Sequence, residues 1–256
     1  MEKCLVERTI EKETLISVIT VCYNSEKTIE RTLKSMLKQT YSDYEYLIID
    51  GKSTDTTLQI LQKYEPLFEG RMKIYSEPDR GIYDAMNKGI RNATGQLIGM
   101  VNSDDYYEAD ALEIMAEEFR KIENPYVVLY GFQRNFEKEK EVKTFLFHHD
   151  YLKQQMITHP TCFVTPEVYR DMGLFDLNYR SSADYEFMLR IYDTGKVYFH
   201  PIYKVISNFQ QGGMSSSQIG YRETLGLQYR YGGLSKFRYY KTMVRSYIYE
   251  LIHKII

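Results

Sequence analysis

Nowhere in the 256 residues does an apolar run reach the roughly 20 positions that cross a bilayer, so no membrane span is expected. Cysteine is scarce. Cys4, Cys22 and Cys162 are odd in number, scattered and never in CxxC spacing. That excludes a disulfide frame and a zinc-finger site, and fits reduced thiols in a cytoplasmic protein. The opening MEKCLVERTIEKE is charged throughout, which argues against a signal peptide. Neither sign of charge is in surplus, with 33 Lys and Arg against 35 Asp and Glu. A nucleic-acid binder would carry a basic working face, and none is expected here. Internal repeats and low-complexity linkers are lacking. Tryptophan is absent too, and the 25 tyrosines that stand in for it point to no single function.

What is present is the raw material of an α/β core, with 43% of residues hydrophobic. LISVITVCY (15–23), YEYLIID (44–50), MKIYS (72–76), QLIGMV (96–101) and YVVLYG (126–131) have the length and composition of strands. Between them lie helical spacings. Asn24 and Ser25 are expected to cap a helix bearing Ile29, Leu33, Met36 and Leu37. Others are expected around Thr57–Leu61, Tyr83–Arg91 and Ala111–Ile122. Strands apolar on both faces, alternating with helices, predict a mostly parallel, Rossmann-like sheet flanked by helices. After Gly131 the alternation stops. A hairpin (133–147), a short strand (159–164), a helix (Ala183–Thr194) and further strands (197–209) are expected there.

In such sheets ligands bind beyond the carboxyl ends of the strands, so the residues that end each strand matter most. Three of those four ends carry an Asp: Asp50 in DGKSTD, Asp79 in EPDRG, and Asp104 with Asp105 in NSDD. No strand end carries a GxGxxG or GxxxxGK phosphate loop. A nucleotide phosphate held here would therefore need a divalent cation. Ser53 and Asp55 read more simply as helix caps, whereas Asp50, directly after an apolar run, needs hydrogen-bond donors. Adjacent carboxylates such as Asp104 and Asp105 raise one another's pKa unless a cation lies beside them.

Taken together, ISVITVCYN, LIIDGKSTDTT, EPDRGIYDAMNKGI and LIGMVNSDD resemble the family-2 inverting glycosyltransferases of GT-A fold, in the family's order, from Ile16 to Ser217. The likeness is strongest to bacterial enzymes of surface polysaccharides such as O-antigen or colanic-acid-type exopolysaccharide. It implies a catalytic domain over 1–220 that takes a nucleotide-sugar donor, a UDP-sugar first, with Mn²⁺ or Mg²⁺. It also implies roles. Thr20, Tyr23 and Asn24 would line the nucleoside pocket, and Asp50 would bond the base. Asp79 and Arg80 would lie near ribose and diphosphate, and Asp84, Asn87 and Lys88 would shape the donor site. NSDD takes the place of the family's metal motif. Asn102 departs from it, leaving Asp104 as ligand, Asp105 in support and Ser103 beside the donor. Asp184, in SSADYEFMLR, takes the place of the general base, although Ala183 stands where many relatives have Glu. FQQGGMSSS (209–217) resembles a loop that closes over the donor, and His159 and Arg180 fall on the acceptor side. For His159 a satisfied structural histidine is an equal reading.

The acceptor implied is a saccharide or a lipid-linked saccharide. Two other readings stand beside this one. A nucleotidyltransferase would need a Gly-rich, basic loop after the first strand, and VCYNSEKT lacks one; a non-catalytic nucleotide-sugar binder would release no nucleoside diphosphate. Residues 221–256 form a basic, aromatic tail, with seven Lys and Arg against Glu223 and Glu250. Phe237, Tyr240, Met243, Val244, Tyr247, Ile248, Leu251 and Ile255 would share one helical face. Three partners fit that face: the inner surface of the cell membrane through 236–256, the catalytic domain, or a second subunit in a homodimer.

Overall fold

The computed structural model describes residues 15–137, 140–210 and 218–255, with side chains as far as residue 251. Cys4, the opening charged segment, the greater part of the 209–217 loop and the side chain of Ile255 lie outside them. The order of elements is β1 (Ile16–Cys22), α1 (Ile29–Leu37), β2 (Tyr44–Asp50), α2 (Thr57–Tyr64), β3 (Met72–Ser76), α3 (Ile82–Asn92) and β4 (Leu97–Met100). There follow β5 (Tyr106–Tyr107), α4 (Ala111–Phe119), β6 (Val127–Glu137), β7 (Lys140–Phe145), β8 (Phe163–Val164), α5 (Pro166–Met172), α6 (Ala183–Asp193) and β9 (Tyr198–Gln210). Two further helices, α7 (Gln218–Arg230) and α8 (Lys236–Ile255), complete the described chain.

The strands form one sheet in the order β3-β2-β1-β4-β8-β6-β9-β5, with β7 paired to β6. β1, β2, β3 and β4 run parallel, as the βα alternation requires. β8 enters antiparallel between β4 and β6, and β9 runs parallel to β6. Every residue of β1 and of β2 is buried because helices cover both faces. Alternate side chains divide between two cores. Ile19, Val21, Leu47 and Ile49 meet Met86 and Ile90 of α3, while Val18, Tyr46 and Ile48 meet Leu33, Met36 and Leu61 of α1 and α2. The expected α/β, Rossmann-like sheet is the observed one.

Details differ where local signals are short. β5 has two residues and α5 seven, too few for any periodicity to register. YVVLYG and the first arm of the hairpin are one strand, β6, and the two stretches between 197 and 209 are likewise one strand, β9. The segment 159–164 begins as a 3₁₀ turn and only then becomes β8. Asn24 and Ser25 do not cap α1: the helix begins at Ile29, and Asn24 (φ 49°) turns its side chain to the Thr54 amide, 2.8 Å away. The expected division at 220/221 falls inside α7, whose Leu227 joins the core that holds α3 and α6.

Candidate active site

The strand ends converge through small, specific contacts. After β2, Gly51 lets Asp79 approach so closely that a Cβ there would stand 2.5 Å from its Oδ2 and 3.4 Å from the Tyr23 ring. Tyr23, Gly51 and Asp79 therefore share one corner of the crevice, with the Tyr23 ring 62% exposed. Asp50 lies beneath, wholly buried. It accepts from the Ser53 amide (3.1 Å) and hydroxyl and from the Ser76 hydroxyl (2.6 Å), which meets the cost of its burial from within the protein. Neither expected cap serves α2, whose N-cap position is Thr56: Asp55, one residue earlier, accepts from the Thr57 amide at 2.9 Å and the Glu26 amide at 3.2 Å, and Ser53 bonds Asp50. Thr20 is also wholly buried, its hydroxyl donating to the Val101 carbonyl at 2.7 Å. Asp84 accepts from the Arg80 amide (3.0 Å) and pairs with the Arg80 guanidinium (3.6 Å) at the start of α3. Burial opposes ionisation of Asp84, but the Arg80 contacts outweigh it and hold its pKa low. Arg80 itself stays exposed. Asn87 has both ends of its amide taken by the Phe175 backbone, at 2.9 and 3.0 Å, and Lys88 pairs with Glu77 and the Pro78 carbonyl.

The NSDD turn is tied to the loop after β1 by Ser103, whose hydroxyl lies 2.9 Å from that of Ser25. Arg31 of α1 donates to the Asp104 carbonyl and stacks on Tyr106, while its Nε is buried without a partner. Asp105 is wholly buried and accepts from the Gln210 amide (3.0 Å) and the Asn102 side chain (3.3 Å). Burial, then the Asp104 charge, raises its pKa, and burial raises that of Asp104 as well. The Asp104 carboxylate is half-buried, with a backbone hydrogen bond and the nearby Arg31 charge acting against the effect of burial. Two adjacent carboxylates are a donor set that suits a hard divalent cation.

A second cluster joins α3 to α6. Asp184, in the first turn of α6, accepts from the Tyr83 hydroxyl at 2.8 Å and from the Tyr185 amide at 2.9 Å, both on Oδ1. Burial, then the Asp184 charge, holds the Tyr83 hydroxyl un-ionised. His159 is buried on Phe175 in an edge contact. Burial lowers its pKa, with the Asp184 charge pulling the other way. Arg180 is exposed, and its amide and that of Ser181 donate to Glu223 of α7 at 2.8 and 2.9 Å. The structure thus unites Tyr23 with Asp79, Arg80 with Asp84, and Tyr83 with Asp184 and His159. No described side-chain contact links Asp104 to Asp184. Tyr83, Arg31, Glu223 and Gln210 were not picked out by sequence. Tyr83 lies within EPDRGIYDAMNKGI, which was its one available signal. A cavity of about 780 Å³ opens on the far side of α1, lined by Lys27, Arg31, Lys34, Tyr106, Asn208 and Gln210 among others. Of the assigned site residues, none lines it.

The family model "Glycosyl transferase family 2" matches residues 17–176. Chondroitin synthase of Escherichia coli is 31% identical over 205 residues, covering 78% of this chain and 29% of that protein. TarS of S. aureus, solved as residues 1–349 with UDP-GlcNAc, superimposes with a TM-score of 0.68 at 23% identity, over 83% of this chain and 65% of that one. The mannosyltransferase PcManGT of Pyrobaculum calidifontis, solved with GDP-Man and Mn²⁺, gives 0.60 at 17% identity, over 91% and 65%. The chain thus spans under a third of that synthase and about two thirds of those solved chains.

Proposed function

The chain belongs to glycosyl transferase family 2 and has the GT-A fold; from that premise we propose that it transfers a sugar from a UDP-sugar, with inversion, to a hydroxyl of a saccharide or lipid-linked saccharide in surface-polysaccharide synthesis. The observation that carries this is Asp184. It is a half-exposed carboxylate with one oxygen fixed by Tyr83 and the Tyr185 amide, which leaves Oδ2 to accept a proton. As the acceptor hydroxyl attacks the anomeric carbon, Asp184 takes its proton, and one base suffices for a single displacement with inversion. Tyr83 cannot compete for that proton, because its own hydroxyl stays un-ionised beside the carboxylate. His159, neutral and buried, packs behind this pair on the acceptor side.

On the donor side the exposed Tyr23 ring offers a face to the nucleobase, and Asp79 and Arg80 stand at the crevice rim toward ribose and diphosphate. Asp104, with Asp105, would hold a divalent cation, Mn²⁺ or Mg²⁺, which supplies Lewis-acid stabilisation to the departing diphosphate. The Mn²⁺ in the mannosyltransferase and the UDP-GlcNAc in TarS support this choice of ligands. Asp184→Asn tests the assignment. Turnover should fall about a thousandfold with donor binding intact, and retained turnover would remove Asp184 from the mechanism.

The same proposal extends to α8, on the inner face of the membrane. No helix of the described residues is long and apolar enough to cross one. α8 packs on α7 through Ser246 bonded to Gln218, Arg222 bonded to Glu250 and lying over the Tyr247 ring, and Tyr239 stacked on Tyr229. Phe237, Tyr240, Val244, Ile248 and Leu251 are all left more than half exposed, between Lys241 and Arg245. An outward apolar stripe flanked by cations suits an anionic lipid surface. Removing 236–256 should abolish co-sedimentation with anionic liposomes; equal binding by the shortened chain ends the membrane reading.

A further inference from the structure

We propose that His148, His149 and Asp150 bind one divalent cation of borderline softness, zinc foremost, at a site separate from the Asp104–Asp105 turn. The three residues are consecutive, but the 3₁₀ turn at His149–Tyr151 draws one ligand atom of each to within 4.8 Å of the others. His148 Nδ1 lies 3.1 Å from Asp150 Oδ2, and His149 Nε2 lies 3.8 Å from Asp150 Oδ1. Bonds of about 2.0–2.2 Å to a tetrahedral zinc put ligand atoms roughly 3.4 Å apart, between those two separations. Small rotations of the half-buried His148 and the exposed Asp150 side chains would complete the set, with water at the remaining position.

His149 is held as a ligand needs to be held. Its ring stacks on Phe199 (centroids 5.5 Å apart, planes at 20°) and meets the Tyr130 ring edge-on. The Tyr130 hydroxyl oxygen lies 2.7 Å from Nδ1 and accepts from the His149 amide at 3.1 Å. With the ring proton on Nδ1 and donated to Tyr130, the lone pair stands on Nε2, the atom beside Asp150. A ring oriented by stacking, with an outer partner able to accept the Nδ1 proton, is the usual support of a metal-bound imidazole. The bond that a cation would displace, from the Asp150 amide to His148 Nδ1, is long at 3.4 Å.

Two imidazoles and one carboxylate suit Zn²⁺, Co²⁺ or Ni²⁺, whereas Mg²⁺ and Mn²⁺ prefer oxygen donors. The two sites would therefore select different ions. The turn is also a junction: the Leu152 carbonyl accepts from Tyr185 of α6 at 2.7 Å, and Lys153 pairs with Asp193 at 2.9 Å. A cation at 148–150 would rigidify the turn that leads into these contacts with the helix that carries Asp184.

The test uses the full chain stripped with chelator, ZnCl₂ titrated calorimetrically, and Co²⁺ as a visible-absorption probe. Wild type and Asp104→Ala should each take up one zinc equally tightly and develop the absorption of a four-coordinate cobalt site. His148→Ala and Asp150→Asn, both at exposed or half-exposed positions, should weaken zinc binding at least about tenfold and lose those bands. Excess Mg²⁺ should not compete. Unchanged zinc affinity in both variants overturns the proposal, as does loss of zinc binding in Asp104→Ala alone. Neither result depends on whether the donor is a UDP-sugar.

Discussion

Glu45 and Asp105 are carboxylates buried at opposite ends of the same parallel strands, and they behave in opposite ways. At the amino end Glu45 accepts from the Ser17 hydroxyl (2.7 Å) and the Thr94 amide (2.6 Å) and hydroxyl (2.8 Å), with Lys73 at 3.2 Å. Burial works against its charge, but these donors prevail and its pKa is lowered. At the carboxyl end Asp105 has two donors and a carboxylate neighbour, and its pKa is raised. One end of the sheet stabilises the fold with a charge. The other disfavours charge, so that ionising Asp105 beside Asp104 costs stability.

Breaking each end should give a different failure. The largest effect expected is at Asp104. Asp104→Ala should remove metal-dependent donor binding and lower turnover about a thousandfold while leaving the melting temperature near that of wild type; calorimetry of UDP-sugar with Mn²⁺ checks it. Next is Glu45→Ala, which strands the Ser17 and Thr94 donors. It should cost about 2–3 kcal/mol, a fall in Tm of roughly 5–10 °C, with donor binding unchanged. The pH dependence sharpens the point. Because the folded pKa of Glu45 is lowered, its stabilisation is present above the unfolded value of about 4.3 and is lost as pH falls through the folded value. Urea midpoints below that pH should therefore converge for wild type and Glu45→Gln. The smallest effect, and the most diagnostic, is Asp105→Asn. It keeps an acceptor for the Gln210 amide and removes the repulsion, so the metal-free protein should gain about 1 kcal/mol at pH 8 while losing activity. A loss of stability there would dissolve the contrast between the two ends.

Much of the frame is legible along the chain. Continuous β-branched runs such as ISVITVC can only be doubly covered strands, and the Asp residues that follow them mark the working edge. What the sequence left open was what each residue touches. Asp50, Thr20 and Asn87 read as pocket residues, yet each spends its side chain on protein partners. Tyr83 looked like one apolar position in a helix and proved to hold Asp184, 101 positions away. α8 presented an apolar face that fitted a partner subunit, the catalytic domain or a membrane equally well; only its packing on α7 shows that Phe237, Val244, Ile248 and Leu251 are left exposed.

The sequence by itself determined the alternation of strand and helix, the acidic strand ends and the motif series that places the chain in its family. Those are local properties, set by period, propensity and order. The tertiary structure decided which buried carboxylate is met by donors and which has a like charge beside it, and which tyrosine bonds Asp184. Desolvation and hydrogen bonding depend on neighbours in space, and neighbours a hundred residues apart leave no periodic trace in a single chain.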